Sequence, residues 1–181
     1  MSNIAPIIIG YGGNLTGRFQ SPRAACGAAL YSLASRGARV VKRSPWYESA
    51  PVPLSDQPWY INGVATISTK LLPDDLLDLL LDIEVSLGRE RGKPNAARVV
   101  DLDVLAYGNK INNSAVRPPL LPHPRMHERA FTVLPLRDIL PDWYHPQSQK
   151  SISQLAENLP SDQQTRIIAD ASGIYGTEWV T

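Results

Sequence analysis

The 181-residue chain has a single cysteine, three histidines and no apolar run approaching the roughly 20 residues of a membrane span. Cys26 alone excludes an intrachain disulfide and fits a reducing compartment. Set in an Ala-rich stretch with helical spacing, it reads as a small buried residue. Excess charge of either sign is also missing. A net charge of +1 gives no global attraction to nucleic acid or to a membrane surface, so any preference for anions must be local. The N-terminus lacks the ordered basic, apolar and small-residue regions of a signal peptide, and the expected location is the cytoplasm. His123, His127 and His145 include one pair four apart, but no glutamate completes a metalloprotease pattern, which argues against zinc. No Gly-x-Ser-x-Gly elbow offers a nucleophilic serine. Gly12-Gly13-Asn14 has neither the Gly-Lys-Ser/Thr of a phosphate loop nor the spacing of a dinucleotide fingerprint. It reads as a tight turn in which Asn14 bonds neighbouring backbone. No linker or internal repeat divides the chain, and its length suits one domain over 1–181.

What is present alternates between strand and helix patterns. Pro6 to Tyr11 is a short apolar strand, and residues 19 to 36 carry Ala24, Ala25, Ala28, Ala29, Leu30 and Leu33 at helical spacing before a stop at Gly37. Arg39 to Tyr47 reads as one strand. A stiff loop with Pro51, Pro53 and Pro58 leads to an alternating strand from Tyr60 to Thr69. Pro73 to Gly88 is the clearest helix, with Asp74 and Asp75 at its positive end and a stripe through Leu76, Leu77, Leu80, Ile83 and Leu87. A basic loop follows, then a strand over residues 98 to 105. A helix from about Arg125 or His127 runs into the Leu134 to Leu140 region, limited by Pro135. A short helix, Ile152 to Asn158, and a short strand, Thr165 to Ala169, complete the pattern. The order β-α-β-β-α-β is that of a ferredoxin-like α/β (α+β) sandwich on an antiparallel sheet, with C-terminal additions.

The chemistry concentrates in Arg98-Val99-Val100-Asp101-Leu102-Asp103-Val104-Leu105. On a strand, Asp101 and Asp103 point the same way, about 7 Å apart. Two carboxylates so placed repel unless a cation lies between them, and hard oxygen donors suit Mg²⁺ shared with phosphate. Arg89, Arg91, Lys93 and Arg98 precede the pair within about a dozen residues, and Arg125 and Arg129 follow His123. Guanidinium groups match phosphate oxygens bidentately, which favours a polyphosphate substrate. By parity Arg98 faces away from Asp101 on an ideal strand, so it reaches the same pocket only from the loop-to-strand junction. A metal-dependent phosphohydrolase or nuclease, and a non-catalytic ferredoxin-like module that binds a ligand to regulate a partner, remain alternatives.

Four segments in order, Gly12-Gly13-Asn14-Leu15, Gln57-Pro58-Trp59-Tyr60-Ile61-Asn62, the run from Arg98 to Leu105, and Pro122-His123-Pro124-Arg125-Met126-His127-Glu128-Arg129-Ala130-Phe131, make the chain resemble the 6-hydroxymethyl-7,8-dihydropterin pyrophosphokinases over about residues 6 to 142. The resemblance implies an ATP-dependent enzyme of folate biosynthesis that moves pyrophosphate to a pterin alcohol, with two Mg²⁺ ions on Asp101 and Asp103. It implies Arg89, Arg91 and Arg98 as catalytic groups, ATP contacts from these three and from Glu84, Val104, His123 and Arg129, and a pterin held by Tyr60, Phe131 and Asn62 and by the backbone around Ser49, Ala50 and Val52. The expected partners are the small-molecule substrates alone, with no nucleic acid and no membrane, on a monomer. Two departures stand out. Gly13 replaces the family's usual Ser in the first turn, and Asn95-Ala96-Ala97-Arg98 stands where the family often has Trp-Gly-Pro-Arg, so the closing indole is missing. The loop from Arg89 to Ala97 is the expected lid.

Overall fold

A computed structural model describes residues 5–90 and 96–180. The elements are β1 (Ile7–Gly13), α1 (Pro22–Ser35), β2 (Ala38–Arg43), β3 (Trp46–Ser49), β4 (Tyr60–Thr69), α2 (Pro73–Ser86), β5 (Asp101–Tyr107), α3 (Ala130–Ile139), α4 (Ile152–Glu157) and β6 (Thr165–Ile168), with 3-10 turns at Met126–Glu128 and Ile174–Gly176. The strands form one antiparallel sheet in the order β5-β1-β4-β3-β6, and β2 pairs with β4 further along. This is the ferredoxin-like plan expected from the sequence, extended by α3, α4 and β6.

Local chemistry sets the boundaries. Helix α1 begins at Pro22 rather than at residue 19, because Ser21 caps it, its hydroxyl accepting from the Ala24 N–H at 3.0 Å. Helix α2 ends in a glycine, Gly88, with φ of +99°, a conformation that costs other residues strain. The single strand expected from Arg39 to Tyr47 is broken at Ser44-Pro45, where proline offers no ladder donor. Ser44 bridges the break, its N–H donating to the Val64 carbonyl at 2.8 Å and its hydroxyl accepting from the Val64 N–H at 3.1 Å. The acidic strand starts at Asp101, not at Arg98. The helix expected from Arg125 or His127 is also interrupted, at Arg129, which is extended (φ −111°, ψ 113°) between the Met126–Glu128 turn and α3.

Directly opposed residues of antiparallel strands share a face, so the register sorts the side chains. Ile9, Tyr11, Ala65, Leu102 and Val104 point to one face, which α1 and α2 cover with Leu30, Leu33, Leu76, Leu80 and Ile83. The opposite face is covered only in part: Ile8, Val64, Leu105 and Ala106 meet Val133, Leu136 and Ile139 of α3 and Ile152 and Leu155 of α4. The remainder of that face, holding Gly10, Gly12, Asn62, Asp101 and Asp103, stays open and floors a cavity. At the chain's far end, Glu178 returns to α1, where it accepts from the Ser21 hydroxyl at 2.7 Å and pairs with Arg23. Among the described residues no helix is long and apolar enough to cross a membrane.

Candidate active site

The open part of the sheet forms a cavity of about 750 Å³ whose walls include Asp101, Asp103, Arg129, Tyr60, Asn62 and Phe131. Gly12 lies opposite Asp101 on one side and opposite Asn62 on the other. A Cβ there would come within 2.9 Å of the Ile61 carbonyl oxygen and closer still to the Asn62 amide oxygen, so glycine keeps the floor between the two halves of the site clear.

At the acidic end, Asp101 Oδ1 takes Arg89 Nη1 at 2.7 Å and Arg98 Nη1 at 3.0 Å. Arg98 reaches it because residues 96 to 100 are loop and not strand. Arg89 also pairs with Glu84, whose Oε1 accepts the Leu102 N–H at 2.6 Å on the edge of β5 away from β1. Burial pushes the Glu84 carboxyl up to about 7, against the pull of that N–H and of Arg89. Burial, then the charge of Asp101, pushes Asp103 up to about 6, with Arg129, Arg89 and Arg98 pulling the other way. Burial, then Arg129 and Arg125, lower His123 to about 4, so its ring is neutral near pH 7. His123 Nδ1 accepts the Arg125 N–H at 3.1 Å, which leaves Nε2 to carry the proton as a donor.

These groups suit a hard cation. Two carboxylates share a face of one strand, and among the described residues no set of three His, Cys, Asp or Glu side chains gathers into a protein cage. Asp101 and Asp103 could together hold a Mg²⁺ ion, whose other ligands would then come from phosphate and water.

The remaining expected residues divide. Ser49, Ala50, Val52, Tyr60, Asn62 and Phe131 line the cavity together. Asn62 Nδ2 donates to Ser49 Oγ at 2.7 Å, so the amide is oriented before any ligand arrives. The Ala50 N–H donates to the Gln164 carbonyl at 3.0 Å, so this residue has only its carbonyl to offer a ligand edge. Val104 does not bring a side chain to the cavity: it lies in the core under α1 and α2, and only its backbone faces outward. Glu84 stands behind Arg89 rather than in the cavity wall, where a nucleoside contact through its carboxylate would compete with Leu102 and Arg89. Arg91 and Asn95, and with them most of the expected lid, lie outside the described residues.

Asn14 differs from its reading as a local turn residue. Its side chain is buried and ties distant segments together: Oδ1 accepts the Arg98 N–H at 2.9 Å, and Nδ2 donates to the Pro58 carbonyl at 3.0 Å and to Gln57 Oε1 at 3.3 Å. Gln57 Oε1 also accepts the Tyr60 hydroxyl at 3.1 Å. One asparagine thus links the arginine loop to the start of β4. Sequence reasoning missed this, and it missed Lys150, Asn158 and Gln163 as cavity residues, because none sits in a recognisable spacing with the aspartates.

A family model described as 7,8-dihydro-6-hydroxymethylpterin-pyrophosphokinase matches residues 8–141. A 2-amino-4-hydroxy-6-hydroxymethyldihydropteridine pyrophosphokinase of Synechocystis is 38% identical over 84% of the chain and 75% of its own length, and one of Methylorubrum extorquens is 42% identical over 64% and 72%. A folic acid synthesis protein of Pneumocystis carinii is 40% identical over 72% of the chain, which spans only 17% of that longer protein. Among solved structures, an HPPK-DHPS in complex with substrates superposes with a TM-score of 0.63 at 14% identity, covering 84% of this chain and 43% of that one, a likeness of fold. The matched range contains both carboxylates, the described arginines around them and the Tyr60–Phe131 walls, and the chain belongs to the 7,8-dihydro-6-hydroxymethylpterin-pyrophosphokinase family.

Proposed function

We propose that this chain transfers pyrophosphate from ATP to 6-hydroxymethyl-7,8-dihydropterin, forming the pterin diphosphate and AMP. The observation that carries the reading is the joining, in one cavity, of the Asp101–Asp103 pair with a slot lined by Tyr60, Asn62 and Phe131. A flat heterocycle gains area against aromatic rings, and the preset Asn62 amide can read its polar edge. The pterin hydroxymethyl oxygen, thus held, attacks the β-phosphorus in line. The bond from that phosphorus to the α,β-bridging oxygen breaks, AMP leaves with the oxygen, and the hydroxyl proton passes to solvent.

Positioning and charge neutralisation dominate in a loose transition state, so no strong base is needed. Two Mg²⁺ ions at Asp101 and Asp103 supply Lewis-acid neutralisation of the phosphate oxygens. Arg89 and Arg98 sit on Asp101, at the end of the cavity where the triphosphate would lie, and their guanidinium groups would donate to its oxygens. Arg129 and the neutral His123 Nε2 donate to the same triphosphate, while Glu84 holds Arg89 from behind. All these groups come from one chain, which acts as a monomer and as one domain over 1–181: β6 and α4, beyond the matched range, complete the same sheet and core.

Mass spectrometry of a mixture of protein, Mg-ATP and the pterin alcohol tests this, with pterin diphosphate and AMP in equal amounts expected. ATP consumption at the same rate without the pterin would favour a phosphohydrolase instead.

A further inference from the structure

Helix α3 starts between the two residues that the proposed reaction needs most from this part of the chain. Arg129 is its N-cap and Phe131 its second residue, yet no side chain of the local sequence caps it. The cap comes from 33 residues away. Gln163 Oε1 accepts the Ala130 N–H at 2.7 Å, and Gln163 Nε2 donates to the Glu128 carbonyl at 2.8 Å. The two peptide groups so bridged flank Arg129, the extended residue at which the 3-10 turn breaks from α3. The same segment holds the opposite wall: the Gln164 carbonyl accepts the Ala50 N–H at 3.0 Å, and Thr165 lies opposite Ser49 in the β3–β6 pair. Gln163 itself lines the cavity, and it lies beyond the range that matches the family model.

We propose that Gln163 is a positioning residue of the transfer site: its amide, clamped on the peptides either side of Arg129, sets where Arg129 and Phe131 stand against Asp103 and the pterin slot. The proposal rests on the reading of that slot as the pterin site. An amide suits the task because it satisfies one donor and one acceptor at once, whereas an ionised aspartate, which only accepts, would satisfy only the donor.

The test compares wild type, Gln163→Ala and Gln163→Glu. Binding of 6-hydroxymethyl-7,8-dihydropterin is followed by fluorescence, binding of a non-hydrolysable Mg-ATP analogue by calorimetry, and exchange of the Ala130 amide by NMR. Loss of a cap of this kind corresponds to about a tenfold rise in the pterin Kd for Gln163→Ala. The nucleotide Kd should rise less than about threefold, since Arg89, Arg98 and the β5 carboxylates still hold the triphosphate. Steady-state kinetics should show pterin KM rising by more than kcat falls. Gln163→Glu keeps an acceptor for the Ala130 N–H but loses the donor to the Glu128 carbonyl, so it should restore the slow Ala130 exchange and recover only part of the lost pterin affinity. Wild-type pterin affinity in Gln163→Ala, or equal weakening of both ligands with no recovery in Gln163→Glu, would overturn the proposal. A wild-type protein that binds no pterin would overturn the functional reading instead, while the contrast in Ala130 exchange would still report the clamp.

Discussion

Replacing Asp103 with Asn should separate stability from catalysis. In the metal-free protein, burial and the charge of Asp101 raise the Asp103 carboxyl from 3.8 to about 6. Because the folded value lies above the unfolded one, the ionised group weakens the fold above about pH 6, and this penalty disappears as the pH falls below about 4. At 1.36 kcal/mol for each tenfold change in proton affinity, that rise corresponds to at most about 3 kcal/mol. Asp103 lines an open cavity among guanidinium groups, so screening leaves roughly 1 to 2 kcal/mol. Asp103→Asn removes the charge at constant shape. Measured by calorimetry in EDTA at about pH 7.5, it should raise Tm by about 2 to 8 °C for a chain of this length. At about pH 4 the two proteins should melt together. Turnover with Mg-ATP and pterin should meanwhile fall by at least about a hundredfold, because a charge-neutralising metal contact in the transition state is lost. A lower Tm at about pH 7.5, an equal gain at about pH 4, or turnover at the wild-type rate would each refute the reasoning.

Phe131→Ala should weaken pterin binding by about 1 to 3 kcal/mol through lost stacking and burial, with a smaller change for nucleotide; equal losses in titration calorimetry would mark Phe131 as a core residue. Gly12→Ala places a methyl group against the Asn62 amide and the Ile61 carbonyl, and pterin affinity should drop at least about tenfold while thermal unfolding stays cooperative; unchanged affinity would show that the floor tolerates a side chain. The Arg23 hydrogen bond holds Glu178 down at about 2. The folded value is below the unfolded one, so the stability it contributes, on the order of 1 kcal/mol, is present above about pH 5 and lost as the pH falls towards about 2. The Tm gap between wild type and Glu178→Gln should accordingly close over that window, and a gap independent of pH would exclude the ion pair as its source.

Much of the site follows from alternation along single strands. Asp101 with Asp103 on β5 and Tyr60 with Asn62 on β4 share faces because a strand repeats every two residues, a rule that needs no partner strand. The bounds of β4 and the glycine stop of α2 are equally local, set by patterning and by the conformations that proline and glycine allow.

Other features depend on residues far apart in the chain. Arg98 meets Asp101 because Asn14, 84 residues away, binds the Arg98 peptide and keeps residues 96 to 100 out of the ladder. Val104, by contrast, is turned into the core by the same alternation that exposes Asp103. The break at Arg129 answers to Gln163, and the Ala50 N–H to Gln164. Short-range periodicity is written into each segment by covalent geometry, so the sequence alone determined which segments favour strand or helix and the common face of the two aspartates, but not every break within them. The pairing of a buried donor with an acceptor dozens of residues away depends on sheet register and on loop closure, so only the tertiary structure decided which groups stand around Asp101, where α3 begins, and what holds the two walls of the slot in place.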